Sequence, residues 1–460
     1  MKNILRGAAS LFFAAVVAGP ACAVNLDFAG GTYKSDPASV PVPVLEASRT
    51  AAPKALKKWT VMVFVNAKNN LEMAGLYNLN QMEKVGSTKD LNIVAEVGRM
   101  KGQAGDTDLD GDWTGARRYF VKKDKDENKV TSPVMQEDKV VDMGDFNRAT
   151  DFVKWAKTNY PAEKYMLILW DHGSGWMDPQ QAAKPQGSAK GISFDDETNN
   201  YIRTKQIGQI VKDAGGVDVL AFDACLMQMG EIAFEVKDNV KVIVGSEETV
   251  PGLGYPYSMF LGALAKQPSA GAEDLGAVTV EAFTMFYEAI KKGAQLSAIR
   301  TSRLGDLAVK TSEFAALAKE VNDADALKAA RSGVIRYDMI GADSDPKMTI
   351  SFYGDLHQYA GLVAANLKGT DEKAAALKAK VLELQSFIDK DLVIYNKATG
   401  KNRVGRELSE SRGISVYLPP VEVRIAQEKL ETIFEGKYAD FEFDKATAWH
   451  DYVTFLYGVK

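Results

Sequence analysis

The sequence predicts an α/β protein whose mainly parallel sheet is covered by helices on both faces. Short apolar runs rich in β-branched and aromatic residues recur along the first half of the chain, and such runs are typical of strands buried on both faces. Amphipathic segments separate these runs, which favours parallel strands connected by helices. With 460 residues, of which 46% are hydrophobic, the chain is long enough for two or three domains around a substantial core.

The alternation of strands and helices begins at Trp59. The first predicted strand spans residues 59–65 (WTVMVFV), and Asn70 can cap a following helix that buries an apolar face. The further predicted strands are 92–97, 165–170, 217–222 and 240–244; the predicted helices between them are 149–159, one from Thr204 to Gly215-Gly216, and one containing Met229, Ile232 and Val236. We expect residues 58–259 to form one α/β domain from these elements.

Two segments interrupt the alternation. Residues 117–133 are predicted to form a charged antiparallel hairpin, and residues 177–200 a polar loop without an apolar period. Beyond them the composition changes: residues 260–460 are predicted to be rich in long helices, with a late strand at 413–418 that ends at two prolines. We expect this region to pack on the first and to complete the fold.

The N-terminus has the features of a secretory signal peptide. Two basic residues precede an apolar run at 8–18, and small residues flank Cys22 in a pattern that fits cleavage after Ala23, which makes residues 1–23 the signal. Residues 24–57, rich in Pro and Ala, are expected to be a linker or propeptide. We therefore expect a secreted or periplasmic protein; a lipid anchor at Cys22 is the alternative. No later stretch reaches the roughly 18 apolar residues of a transmembrane helix.

The counts of charged and reactive residues exclude several classes of function. The 61 acidic residues outnumber the 56 basic ones, and no long basic run is present, which argues against a nucleic-acid-binding protein. Two cysteines and three histidines are too few for a disulfide scaffold or for a zinc site made only of Cys and His. After signal cleavage one cysteine remains, so any thiol chemistry must use Cys225.

The ends of two predicted strands carry the reactive residues. Strand 165–170 leads into His172, and strand 217–222 leads into Cys225. The carboxyl ends of parallel strands meet at one edge of the sheet, where ligands bind, so we expect a thiol and an imidazole to lie close together. Cys225 is also expected to open the next helix, whose dipole would favour a thiolate, and the amides of Gly173 and Cys225 are candidate donors to an oxyanion. A buried structural cysteine is the alternative.

The motifs around these residues resemble the clostripain family of cysteine peptidases, relatives of caspases, legumain and gingipains. His172 lies 53 residues before Cys225, the last residue of the Asp-Ala-Cys sequence, which is close to the caspase spacing. The stretches that resemble the family are WTVMVFVNAKNNLE (59–72), LILWDHGSGW (167–176), VDVLAFDACLMQMGE (217–231), GSEETVPGLGY (245–255) and GISVYLP (413–419). The resemblance implies a caspase-like fold, Cys225 as nucleophile and His172 as general acid/base.

Asp223 matches the acid at the base of the primary specificity pocket in that family, which implies protein or peptide substrates cleaved after Arg or Lys. A partly buried carboxylate gains from a charged hydrogen bond that a neutral side chain cannot supply. The alternative role for Asp223 is to cap the next helix. The resemblance also implies self-cleavage within the polar loop 177–200, which follows His172 directly, and Lys184 and Lys190 are the candidate sites.

Other residues have weaker signals. An Asp-x-Asp-x-Asp-Gly sequence at 106–111 begins like a calcium loop, but Arg117 occupies the position that requires Glu, so a solvated acidic loop is expected. The family resemblance leaves a different calcium site open, and no cofactor is certain. Glu247 and Glu248 follow strand 240–244 and are predicted either to line the cleft or to be solvated. A transpeptidase or ligase using the same dyad, and a non-catalytic surface binding protein on this fold, are the alternative functions.

Overall fold

The computed structural model describes residues 56–126, 128–177, 191–337, 351–402, 404–421 and 437–459. The signal peptide and nearly all of the linker predicted for residues 1–57 lie outside these ranges. The two candidate processing sites, Lys184 and Lys190, also lie outside the described residues, so they stay predictions.

Fourteen strands are present in the described ranges: β1 (Lys57–Ala67), β2 (Leu91–Arg99), β3 (Gly115–Phe120), β4 (Val134–Asp138), β5 (Ala162–Trp170), β6 (Ile192–Asp195), β7 (Asn200–Ile202), β8 (Val217–Asp223), β9 (Val240–Gly245), β10 (Ala294–Arg300), β11 (Arg336–Tyr337), β12 (Tyr353–Asp355), β13 (Val393–Thr399) and β14 (Ser415–Tyr417). Nine of them form the central sheet in the order β13-β10-β9-β8-β5-β1-β2-β3-β4. The five strands from β9 to β2 in this order are parallel, and both edges are completed by antiparallel strands.

The α-helices of the described ranges are α1 (Glu72–Val85), α2 (Phe146–Asn159), α3 (Thr204–Asp213), α4 (Gly230–Val236), α5 (Tyr257–Lys266), α6 (Ala272–Ala289), α7 (Leu304–Val321), α8 (Ala324–Gly333), α9 (Leu356–Asn366), α10 (Glu372–Phe387), α11 (Glu442–Ala446) and α12 (Trp449–Gly458). Within these ranges no helix combines the length and the apolar character that crossing a membrane requires. The mainly parallel α/β architecture predicted from the alternating pattern is confirmed.

The central strands of the sheet are nearly uniformly apolar because they are buried on both faces. In β1 every residue from Trp59 to Ala67 is buried, because β2 and β5 pair with it on either side and helices cover both faces. Parallel sheets covered in this way select continuous apolar runs rather than an alternation. All five strands predicted from such runs are present.

The second half of the chain contributes to the same sheet. Strand β10 pairs antiparallel with β9, and β13 pairs antiparallel with β10. The late strand predicted at 413–418 is present as β14, which belongs to a separate three-stranded sheet with β11 and β12. The hairpin predicted at 117–133 is present with wider bounds, since its strands are β3 and β4.

Three local predictions are wrong. Asn70 does not cap α1, because the helix begins at Glu72 and the turn before it is closed by the Asn69 side chain, which accepts from the Leu71 amide at 2.9 Å. Cys225 does not open a helix, because α4 begins only at Gly230. Residues 177–200 are not a loop throughout, because β6 and β7 form a short hairpin at their end.

The backbone after β8 explains the late start of α4. The Leu226 amide donates to the Glu248 carbonyl at 3.2 Å, and the Gln228 amide donates to the Ser246 carbonyl at 3.0 Å. These bonds hold the chain in an irregular path, in which Leu226 has a φ of 63°. The helix dipole therefore gives no direct help to a thiolate at Cys225.

Candidate active site

The candidate site lies where the strand order of the central sheet reverses. Strands β1 and β2 extend the sheet in one direction, and β5, β8 and β9 extend it in the other. In open α/β sheets ligands bind at such a switch point, outside the carboxyl ends of the strands. Here the strand ends carry Asn69 and Asn70 after β1, His172 after β5, and Cys225 after β8.

Strand register brings the imidazole and the cysteine to equivalent positions. Trp170 pairs with Asp223 in the parallel ladder, and the Asp171 amide donates to the Asp223 carbonyl at 3.3 Å. His172 and Cys225 each follow this pair by two residues. Both line one cavity, whose walls are formed by Leu71, Trp170, Asp171, His172, Asp223, Ala224, Cys225, Val250, Pro251, Gly252 and Gly254. The predicted juxtaposition of His172, Cys225 and Asp223 is therefore present in the structure.

Gly173 lies directly against the cysteine backbone. A Cβ added at Gly173 would come within 2.4 Å of the Cys225 carbonyl oxygen and 3.1 Å of its amide nitrogen. Only glycine permits this close approach. The two residues predicted to supply oxyanion donors are thus adjacent.

The Cys225 side chain is 2% exposed, and the Val250 amide donates to its sulfur at 3.3 Å. A nucleophilic role requires the reduced thiol, because the thiolate is the reactive species.

The contacts of His172 define its two ring nitrogens. Nε2 lies 2.7 Å from Asn70 Oδ1, and because an amide oxygen can only accept, this contact favours the tautomer with the proton on Nε2. Nδ1 is buried and has no hydrogen-bond partner within the described residues, which leaves its lone pair as the basic site. Burial lowers the pKa of His172 to about 4, so the imidazole is neutral at physiological pH. A neutral imidazole of this tautomer can accept a thiol proton at Nδ1.

Asp171 holds the backbone that carries this histidine. Its carboxylate accepts from the His172 amide at 2.6 Å, from Asn69 Nδ2 at 2.7 Å, and from the Phe194 amide of β6. Burial raises the pKa of Asp171 well above its usual range, although these three donors favour its ionised form. The side chain joins the ends of β1, β5 and β6.

Asp223 is buried at the end of β8. Its Oδ2 accepts from the Tyr255 amide and from the Tyr257 hydroxyl, each at 3.0 Å. Burial raises the pKa of Asp223 to about 7, and within the described residues no lysine or arginine pairs with it. The alternative role as a helix cap is excluded, because α4 begins seven residues later at Gly230.

Two other predictions near this edge are corrected. Glu247 and Glu248 are both buried, and neither belongs to the cavity wall. The Gly413 amide donates to Glu247 at 2.9 Å, and burial raises the pKa of Glu247 well above its usual range. A strand-end position alone does not show whether later segments of the chain will cover it.

The acidic segment 106–111 forms hydrogen bonds with residues close to it in the chain. Asp106 accepts from the Gly102 amide at 2.7 Å, and Asp110 lies 3.3 Å from the Trp113 indole nitrogen, which donates to it. Arg117, at the position where a calcium loop requires Glu, lies in β3. Within the described residues no group of three or more Asp, Glu, His or Cys side chains could hold a metal ion.

Sequence reasoning missed four residues that contact the predicted ones: Asn69, Asn70, Tyr255 and Tyr257. Asn69 and Asn70 follow a strand end at the same edge as His172, and this position was the signal that could have identified them. No local pattern indicates that Tyr255 and Tyr257 meet Asp223, since that contact depends on how the chain returns after β9.

The Clostripain family profile matches residues 63–455, which include this site and both halves of the sheet. The chain belongs to the clostripain family. Clostripain of Hathewaya histolytica is 28% identical to it over 237 residues, which are 47% of this chain and 44% of that protein. The chain therefore matches less than half the length of this curated relative.

Solved structures of the clostripain family share the fold. A secreted C11 cysteine protease from Bacteroides thetaiotaomicron, solved with an irreversible peptide inhibitor, is 20% identical, covers 85% of this chain and 99% of its own, and has a TM-score of 0.58. An inactive zymogen C11 protease from Parabacteroides distasonis is 18% identical, covers 86% and 99% of the two chains, and has a TM-score of 0.60. The caspase-like fold implied by the sequence motifs is thereby confirmed.

Proposed function

We propose that this chain is an exported cysteine endopeptidase that hydrolyses peptide bonds after Arg or Lys. The observation that carries the proposal is that Cys225, His172 and Asp223 line one cavity. A nucleophile, a base and an acidic side chain at one switch point are the groups that such a reaction needs. Membership of the clostripain family supports this chemistry.

The dyad would act in two steps. Nδ1 of His172 takes the Cys225 proton, the thiolate attacks the substrate carbonyl, and the amides of Gly173 and Cys225 donate to the oxyanion that forms. The imidazolium then returns the proton to the leaving amine, which leaves a thioester on Cys225. Water hydrolyses the thioester with His172 again acting as base. The Asn70 contact keeps Nε2 protonated, so that the lone pair of Nδ1 is free to accept the Cys225 proton.

Asp223 would select the substrate. The carboxyl is buried, is held by neutral donors, and lies in the wall of the same cavity. A guanidinium or ammonium group that enters would supply the opposite charge that the described residues do not. A neutral side chain would leave the carboxylate uncompensated, which is unfavourable in a buried site.

Export and self-processing complete the proposal. The N-terminal signal would direct the chain to the periplasm or the medium, where cleavage after Ala23 would remove Cys22. A cut after Lys184 or Lys190 would lie in the segment of the chain that follows His172. Both lysines match the proposed specificity. Mass spectrometry of the incubated, exported protein should show both new termini, while a chain that stays intact would contradict self-processing.

The proposed function is tested with matched fluorogenic peptides. The exported protein, kept under reducing conditions, is expected to cleave peptides that end in Arg or Lys and to cleave otherwise identical neutral peptides far more slowly. An added amine nucleophile should give little joined product. Dominant ligation would instead favour the transpeptidase function, and failure to cleave any of these peptides would contradict the peptidase.

Asn70→Ala tests the orientation of His172. Losing one neutral hydrogen bond of about 1 kcal/mol is expected to lower kcat roughly 5–10-fold with KM nearly unchanged, because the imidazole is no longer held in one tautomer. Asn70→Asp restores an acceptor and adds a negative charge, which raises the pKa of His172. It should recover kcat and move the acid limb of the pH profile upward. Equal, parallel losses in both variants would contradict the orienting role.

Gly173→Ala tests the close approach of the histidine segment to Cys225. The added Cβ would meet the Cys225 carbonyl at 2.4 Å, so the backbone must shift, and misplacement of this kind costs about 100-fold in kcat/KM. Gly305→Ala is the matched control, because a Cβ at Gly305 in α7 meets nothing within 4 Å. The control should keep full activity. Full activity in Gly173→Ala would remove Gly173 from the site.

A further inference from the structure

We propose that Tyr257 is a specificity-determining residue, whose hydroxyl holds the Asp223 carboxyl in the form that accepts a basic substrate side chain. This inference rests on the proposed function and deepens it. It means that the strength of the preference for Arg and Lys depends on the segment that follows β9 as well as on Asp223 at the end of β8.

The Tyr257 hydroxyl is fixed where it meets the carboxyl. Tyr257 is the first residue of α5 and is fully buried, with its ring centroid 5.5 Å from that of Phe260. Its hydroxyl donates to Asp223 Oδ2 at 3.0 Å, and the Tyr255 amide donates to the same oxygen. Both neutral donors thus converge on one oxygen of the carboxyl.

The space in front of the carboxyl is kept open by Gly254. A Cβ at this position would come within 2.8 Å of Asp223 Oδ2 and 3.0 Å of Oδ1, and Gly254 has a φ of 63° that favours glycine. Gly254 lines the cavity together with Asp223. The segment 250–257 therefore supplies both the glycine that leaves room beside the carboxyl and the two donors to its Oδ2.

The Tyr257 bond favours the charged form of Asp223. A hydrogen bond to a carboxylate stabilises ionisation, and here it opposes burial, which raises the pKa of Asp223 to about 7. The titratable groups that act on Asp223 are Tyr255 and Tyr257; no Lys, Arg, His or second carboxyl within the described residues does so. Removing the hydroxyl should therefore raise the pKa of Asp223. The pH range in which substrates with Arg or Lys are preferred should then become narrower.

Tyr257→Phe and Tyr255→Phe form a matched pair. Both delete one buried hydroxyl from neighbouring tyrosines, but the Tyr255 hydroxyl donates to the Phe222 carbonyl and not to the carboxyl. Each variant is assayed with two peptides that differ only in Arg or citrulline before the cleaved bond, between pH 5.5 and 9. The readout is the Arg/citrulline ratio of kcat/KM, which cancels general losses of activity.

The Tyr257→Phe ratio is expected to fall about tenfold at pH 7, and the pH at which the ratio is half-maximal should move upward. Tyr255→Phe should change both substrates in parallel and keep the ratio within about twofold. A Tyr257→Phe profile that coincides with that of Tyr255→Phe would overturn the inference. A wild-type enzyme without any preference for Arg would overturn the proposed specificity and this inference with it.

Site-specific Tyr257→3-fluorotyrosine provides a second variant that preserves the shape of the side chain, should Tyr257→Phe not fold. The fluorinated phenol is a stronger donor, so the half-maximal pH should move downward, opposite to the effect of Tyr257→Phe. An unchanged half-maximal pH in the fluorinated enzyme would overturn the inference.

Discussion

Cys225→Ala is expected to lower kcat for hydrolysis after Arg or Lys by on the order of 10⁴–10⁶-fold, because no other nucleophile can form the acyl intermediate. The side chain is almost fully buried, and alanine removes only its sulfur. The measurement is burst and steady-state hydrolysis of an arginyl fluorogenic peptide by the purified protein under reducing conditions.

Thermal unfolding controls for stability in this experiment. The Cys225→Ala variant should unfold close to the wild-type temperature under reducing conditions, so that lost activity cannot be attributed to lost structure. It should also still bind a basic peptide inhibitor, since Asp223 is intact. Substantial residual kcat in a folded Cys225→Ala variant would contradict the assignment of the nucleophile.

Asp223→Asn is expected to have the second-largest effect. The change preserves shape but removes the charge, and a hydrogen bond to a charged group is worth about 1.5–3 kcal/mol, so kcat/KM for Arg peptides should fall about 10–150-fold. Citrulline peptides should lose little. Equal losses for both substrates would show that Asp223 supports the fold of the site but does not recognise the charge of the substrate side chain.

The pH dependence provides an independent check on Asp223. Burial raises its pKa to about 7, so below that pH the carboxyl is neutral and the preference for Arg should fade. A bound guanidinium favours the ionised form and lowers this pKa, so the loss should appear mainly in KM. In Asp223→Asn the Arg/citrulline ratio should not vary with pH.

His172 titrates in a different range, which separates the two groups. Burial lowers its pKa to about 4, so the base stays neutral while Asp223 becomes protonated. Hydrolysis of citrulline peptides should therefore persist to a lower pH than hydrolysis of Arg peptides. Coincident acid limbs for both substrates would contradict the separate roles.

The fold was predictable from sequence because local pattern and burial agree in the central strands. The runs that form the buried parts of β1, β5 and β8 are nearly uniformly apolar, as is typical of parallel strands covered by helices. The pairing of His172 with Cys225 was predictable for the same reason, since both follow strand ends. Motif resemblance added the roles of these residues.

The remaining features depend on long-range packing. Asparagine is a common helix-capping residue, but the Asn70 side chain forms a hydrogen bond with His172, more than 100 residues away in the chain. The late start of α4 depends on backbone bonds to the segment after β9. Glu247 is covered by residues near Gly413, so its burial is invisible in the local sequence.

The most direct test is covalent labelling of the purified, reduced protein with an arginyl acyloxymethyl ketone, followed by peptide mapping. We expect one adduct, on Cys225, which forms far more slowly in His172→Ala and in Asp223→Asn. An adduct on any other residue of the active enzyme, or labelling of Cys225 at a rate that neither variant changes, would contradict a single site built from these three side chains.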